Sequence, residues 1–227
     1  MYRDALLALL PCMCVALPIN ASAASPLVAE FESSYLATGT DDRGVERVFA
    51  WTLERTDTEV IVQDSLQGTE ERWQRDESGR IWYSRVFHDE KRVLEFSPAD
   101  FKRMGPNKWE QISSVIDPAA LASLRAEPKQ EVLDRLTTVY RGKLNGQEIE
   151  IWWLEQERLP ALVRKRDRNG TQTMRLVTLS TMQDDVLSRG RVDLSGYDIL
   201  DFADIGDRHD DPLIEQLMKH EGIRTGH

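Results

Sequence analysis

The sequence predicts an α+β fold: a curled antiparallel β-sheet, an unclosed half-barrel, with helices packed in its concave face. Three observations predict it. Short alternating segments recur at intervals of about ten residues with tight turns between them, the rhythm of an antiparallel meander. One hairpin, residues 158–179, has a charged tip and a root that is apolar on both faces. Helix-like stretches stand before, within and after the run of strands.

The first segment belongs to targeting rather than to the fold. Residues 1–24 read as a signal peptide: "MYRD" is a weakly positive start, "ALLALLPCMCVAL" an apolar run too short to span a bilayer with ease, and "ASAAS" a small-residue cleavage region at Ala23 or Ala24. Both cysteines, Cys12 and Cys14, lie in this segment, and neither follows a small residue as a lipidated cysteine would. The expected mature chain therefore reaches an oxidising compartment without a disulfide, and thiol catalysis and cysteine-ligated zinc are excluded for it. The net charge of −10 is unaffected by the cleavage, because Arg3 and Asp4 cancel. An acidic chain with no second long apolar run argues against nucleic acid as a partner and against an integral membrane protein.

The elements follow in order. "SPLVAEFESSYLAT" (25–38) suits an opening amphipathic helix, with Leu27, Phe31 and Tyr35 four residues apart, Ser25 as N-cap and Pro26 at the first helical position. From 46 the period becomes two. "ERVFAWTLER" (46–55) sets Phe49, Trp51 and Leu53 on one face, and 58–64, 69–76, 80–87 and 91–97 continue the meander through turns at Gln67-Gly68, Ser78-Gly79 and Asp89-Glu90. "WEQISSVIDPAALASLRAEP" (109–128) is helical, with Asp117 capping a second short helix that starts at Pro118. Strands resume at 135–144 and 147–156, turned by Asn145-Gly146. "GYDILDFADIGDRHDD" reads as loop with one strand at most, and "DPLIEQLMKHEG" (211–222) as a terminal helix stopped by Gly222.

In the hairpin, a two-residue type I′ turn at Asn169-Gly170 pairs Arg168 with Thr171, Arg166 with Thr173, Arg164 with Arg175 and Leu162 with Val177. Lys165 and Val163 then face Met174 and Leu176 on the other side. Aliphatic residues on both faces at the root require cover on both sides, which a curled sheet wrapped on helices provides.

This order of elements, with helices inserted midway and the "LPALVRKRDRNG…MRLV" hairpin after the strand "IEIWWLEQ", resembles outer-membrane lipoprotein-sorting carriers, the LolA/LolB-like superfamily. The resemblance covers residues 26–182 and implies a single such periplasmic domain over 25–227, with a C-terminal extension from about 183. It implies an unclosed barrel, capped by helices, that shelters acyl chains. Carriers of this type hold their lid with an arginine on the inner face; the sequence alone assigns no residue to that role.

The resulting expectation is a non-catalytic periplasmic or secreted protein that shelters a lipid or acylated partner. The alternative is an envelope interaction module whose core is filled by its own helices. Candidate cavity residues are Phe49, Trp51, Leu53, Trp82, Trp152 and Trp153, large apolar side chains suited equally to a cavity wall and to a plain core. Arg164, Lys165, Arg166 and Arg168 form the local basic patch expected to meet a head group or a partner, or simply to keep a hairpin tip solvated. No cofactor or metal is expected. The acidic stretch with Asp201, Asp204, Asp207, His209, Asp210 and Asp211 fits no calcium-loop spacing, and Asp210 or Asp211 before Pro212 suffices as a helix cap. His88, His209, His220 and His227 accompany no catalytic motif, so no enzyme is expected.

Overall fold

The computed structural model describes residues 26–37, 47–64, 66–103, 109–181, 192–207 and 211–214. The expected signal peptide, His209, Asp210, His220, His227 and most of the expected terminal helix lie outside these residues; Pro212–Ile214 form a helical turn.

Twelve strands make one sheet: β1 Leu27–Ala37, β2 Arg47–Arg55, β3 Glu59–Asp64, β4 Thr69–Arg75, β5 Ile81–Phe87, β6 Arg92–Phe96, β7 Arg125–Val132, β8 Arg135–Leu144, β9 Gln147–Leu154, β10 Leu159–Arg166, β11 Gly170–Thr181 and β12 Asp198–Asp201. Their order across the sheet is β12-β6-β5-β4-β3-β2-β1-β11-β10-β9-β8-β7. The sheet is curled and unclosed, with β12 and β7 as its two edges. Every described pairing is antiparallel except β12 on β6. Two meanders, β2–β6 and β7–β11, are joined through the central strand β1. At one edge, Pro128, Lys129 and a register shift between Glu127 and Gln130 blunt β7 against further pairing.

The opening helix is a correction: residues 27–37 form the strand at the middle of the sheet. A spacing of four satisfies a period of two as well as one of 3.6, so Leu27, Phe31 and Tyr35 share a face either way. Between them Ala29 and Ser33, small and only weakly informative in sequence, are buried on that same face. Tertiary pairing with β2 and β11 decides the matter.

The fold is accordingly richer in sheet than the α+β expectation. Among the described residues the helices are short: α1 Pro98–Arg103, α2 Trp109–Ser114 and α3 Pro118–Ala122. Asp117 caps α3 as expected, its carboxylate accepting the Ala119 N–H at 2.9 Å. The helical segment ends sooner than expected, because β7 begins at Arg125, and α1 was not anticipated.

The two Asn-Gly turns behave differently. Asn145 and Gly146 have φ of 51° and 81°, and Leu144 pairs with Gln147, as a tight two-residue turn requires. The 158–179 hairpin is instead closed by four residues: Arg166 pairs with Thr171, Arg164 with Thr173 and Leu162 with Arg175. Lys165 pairs with Gln172 and Val163 with Met174, so the expected register is off by two. The cause is Asp167. Its Oδ1 accepts the N–H groups of Asn169 and Gly170 at 2.8 and 3.1 Å, while its own N–H donates to the Gly170 carbonyl at 3.0 Å. A shift of two preserves the faces, so the reading of the root as apolar on both sides survives the correction.

The core lies mainly on one face of the sheet. Trp109 of α2 packs with Leu27, Phe31, Leu53, Val60, Leu154 and Leu159, and Ile112 and Val115 lie against the same cluster. Around α3, Leu121 and Leu124 pack with Ile149, Ile151, Trp153 and Val163. A third cluster joins Tyr83, Leu94 and Phe96 to Leu200, Ile205 and Ile214 near the far edge. The parallel strand β12 and the 3-10 turn Phe202–Asp207 thus cover the end of the first meander.

Candidate ligand groove

Alternation along β2 and β1 sorts their side chains. Phe49, Trp51, Leu53 and Arg55 point to the helix side, as do Leu27, Phe31 and Ser33 opposite them. Trp51 stacks on Phe31 with ring centroids 4.4 Å apart at 16°, and its Nε1 donates to Ser33 Oγ at 3.0 Å. Its polar atom is thereby satisfied, and the indole is held as a wall.

Two pockets flank this wall on the helix side. The first, about 470 Å³, has an apolar interior of Phe49, Trp51, Leu53, Val62 and Trp73, roofed by Ile112 and Val115. Its rim is polar, with Asp64, Gln67, Thr69, Glu71 and Arg85. The second, about 290 Å³, is aliphatic, lined by Ile116, Ile149, Ile151, Val163 and Met174, with Ser33 on one side and Lys165 and Gln172 on another. Both are lined by Gln111 and Val115, so they meet under the end of α2. Val115 has φ of 66°, an uncommon conformation for a β-branched residue, and it joins α2 to the turn before α3.

Arg55 fixes the helical insertion to the sheet. Its side chain is 1% exposed, and its guanidinium donates to the carbonyls of Ser113 at 2.7 Å, Glu157 at 2.5 Å and Arg158 at 3.4 Å. Burial, and then the charge of Arg158, push its pKa down to about 10, against the opposing charges of Asp57 and Glu157. It remains a cation at neutral pH. The sequence carried a signal for it: Arg55 continues the two-residue phase of Phe49, Trp51 and Leu53, and a charge in phase with an apolar face marks a buried one.

The structure separates the sequence-derived candidates. Phe49, Trp51 and Leu53 share the first pocket. Trp153 is buried beside Leu121 and Leu124 in the core. Trp152, its chain neighbour, points to the opposite face, where its Nε1 donates to Glu150 at 2.6 Å. Trp82 is 46% exposed, on the face opposite Tyr83. The basic set also splits. Lys165 borders the second helix-side pocket, Arg164 and Arg166 lie on the opposite face, and Arg168 sits in the four-residue turn. Arg164 contacts Glu150 at 3.4 Å. Val62, Trp73, Ile112 and Val115 complete the first pocket and were not singled out from sequence, because they are contributed by other strands and by α2.

Among the described residues no cluster of three or more His, Asp or Glu side chains is placed to hold a metal ion, and no helix is long and apolar enough to cross a membrane.

No protein-family model matches the chain, and no curated protein sequence matches it. Solved structures similar to it include PNGF-II, with a TM-score of 0.40 and 10% identity, covering 78% of this chain and 32% of that one. MucB of the Pseudomonas aeruginosa MucA/MucB complex overlaps with a TM-score of 0.36 and 15% identity, covering 73% of this chain and 56% of that one. A putative outer membrane lipoprotein-sorting protein domain from Vibrio parahaemolyticus overlaps with a TM-score of 0.31 and 12% identity, covering 73% of this chain and 90% of that one. The chain spans about a third of PNGF-II and little more than half of MucB.

Proposed function

We propose that this chain is a non-catalytic periplasmic or secreted protein that shelters a lipid or an acylated partner in the groove between its sheet and the α2–α3 insertion. The observation that carries the reading is the pair of pockets meeting at Gln111 and Val115. One is largely aromatic and one largely aliphatic, and in both the apolar lining residues outnumber the polar ones. Their volumes, about 470 and 290 Å³, together suit a chain-like apolar ligand. Binding is driven by apolar burial, about 0.8 kcal/mol per methylene, so affinity rises with acyl length.

In this reading the α2–α3 insertion occupies the concave face as a cover, and Arg55 takes the part that an inner-face arginine plays in lipoprotein-sorting carriers. Its bond to the Ser113 carbonyl supports that assignment. The rival reading, an interaction module with a self-filled core, draws on Trp109, Leu121 and Leu124, which already occupy much of the helix-side face.

Native mass spectrometry of the chain purified without detergent tests the proposal. An adduct that is lost on organic extraction, with a lipid of matching mass in the extract, supports a carrier. A bare mass, together with no change in tryptophan emission on titrating fatty acids of increasing length, rules it out in favour of the self-filled module. In the first case Phe49→Ala and Trp51→Ala weaken binding while leaving far-UV circular dichroism unchanged.

A further inference from the structure

A pocket larger than either of the two in the groove lies on the other face of the sheet. Glu32 pairs with Arg175, Ser34 with Thr173 and with Val48, and Leu162 with both Arg175 and Trp152. Directly paired residues share a face, and each of these is one position from a helix-side residue such as Ser33, Val163 or Ile151. The pocket they line, about 570 Å³, is therefore separated from the ligand groove by the sheet itself.

We propose that this pocket is a docking site for an acidic protein segment carrying an apolar anchor residue. Trp152, Leu162, Val132 and Val48 supply the floor, Ala161 reaches it at the register shift of β10, and Val48 is 55% exposed. Arg164 and Arg175 flank it diagonally across the β10–β11 pair, with side chains 45% and 64% exposed. Among the described residues each guanidinium has one ionic contact, Arg164 with Glu150 at 3.4 Å and Arg175 with Glu32 at 2.7 Å. A guanidinium offers five N–H donors, so both retain capacity for a visiting carboxylate. Trp and Arg around a small apolar floor is also the composition of interface hot spots.

Charge selects the occupant. A second groove of about 420 Å³ adjoins the first through Arg164 and adds Arg141, Lys143 and Arg166. The carboxylates lining the two are Glu32, Glu148 and Glu150, fewer than the five cations, in a chain whose net charge is −10. Local positive excess on an acidic protein steers an acidic partner to this face. The interleaved glutamates favour discrete carboxylates in register over a continuous anionic lipid surface, and a recessed floor admits a side chain where a flat bilayer does not reach.

The test uses the full mature chain and three probes: a short fluorescein-labelled peptide of glutamates around a Leu-Phe pair, the same peptide with lysines, and phosphatidylglycerol vesicles. Fluorescence anisotropy is expected to show binding of the acidic peptide that weakens with salt and falls about tenfold or more in the Arg164→Glu/Arg175→Glu double variant and in Trp152→Ala. Arg80→Glu, an exposed charge change in a distant turn, leaves it unaltered. The milder Arg164→Gln/Arg175→Gln pair replaces the charge reversal if the latter lowers the melting temperature. Equal binding of the lysine peptide, undiminished binding by the variants, or vesicle binding without peptide binding each overturns the proposal; the last would make the face a membrane contact. None of these outcomes depends on the groove of the opposite face.

Discussion

The guanidinium of Arg55 donates to the carbonyl of Ser113 at 2.7 Å across a sequence separation of 58 residues, joining a central strand to the last turn of α2. The same side chain reaches the β9–β10 turn through Glu157 and Arg158. One buried cation thus ties three segments together.

Arg55→Ala is expected to destabilise the fold by about 3–5 kcal/mol, because three carbonyls lose their donor in a buried site. Arg55→Lys recovers only part of the loss, since one ammonium does not reproduce the planar fork. Urea unfolding measures both, and hydrogen exchange of residues 109–116 is expected to rise before global unfolding. Unchanged exchange there would show that the arginine does not hold the insertion.

Val115 stands at φ 66° where the two helix-side pockets meet. Relief of that conformation by Val115→Gly, about 1–3 kcal/mol, offsets most of the lost side-chain packing. The net stability change is expected within about 1 kcal/mol. Val60→Gly, in a fully buried strand position with no strain to relieve, costs about 3 kcal/mol or more. Equal losses at the two sites, measured by chemical denaturation, would contradict this.

The two Asn-Gly turns predict losses of different physical origin. Gly146 at φ 81° makes Gly146→Ala cost about 1 kcal/mol through backbone strain alone, with open space around the added methyl. Gly170 is constrained by proximity instead: a methyl there would overlap the Leu36 carbonyl and lie 3.1 Å from the Ala37 Cα. Since backbone cannot step aside cheaply, Gly170→Ala is expected to cost about 1–3 kcal/mol and to open the β1–β11 end, visible as faster exchange of residues 35–37.

Acid sensitivity follows from Asp211 and Asp76. Burial works to raise the Asp211 pKa, but the hydrogen bond from Arg92, the Leu213 and Ile214 N–H groups and the Arg92 charge hold it below its ordinary value. Hydrogen bonds from Ser78 and then Arg80 hold Asp76 at about 2. Both are depressed in the folded chain, so their contribution is present above the unfolded carboxylate pKa of about 4 and is lost as pH falls through the folded values. Thermal melts are expected to be flat from pH 7 to about 5 and to fall below about 4. In Asp211→Asn the fall is shallower, and the plateau itself is lower because Arg92 loses its nearer carboxylate and keeps only the looser contact with Asp198 at 4.0 Å among the described residues.

Much of the sheet was legible in the chain because a period of two is a local property. The alternation in 46–55 and 80–87, the glycines at turns, and the Asp117-Pro118 start of α3 each act over a few residues. The same locality explains the failures. A four-residue spacing in 27–35 fits helix and strand alike, and only pairing with β2 and β11 makes it the central strand. Asp167 outcompetes the two-residue turn through its own side chain, a choice that depends on the strands it closes.

The sequence by itself determined the curled antiparallel architecture, the segment of inserted helices, and the aromatic row of β2, since alternation and turn chemistry are written residue by residue. Only the tertiary structure decided what each side chain faces. Trp152 and Trp153 are adjacent in the chain, yet one stands on the opposite face beside Glu150 and the other lies in the core beside Leu121. Adjacent residues of a strand point to opposite faces, and which face receives the helices depends on contacts from segments far away in the chain.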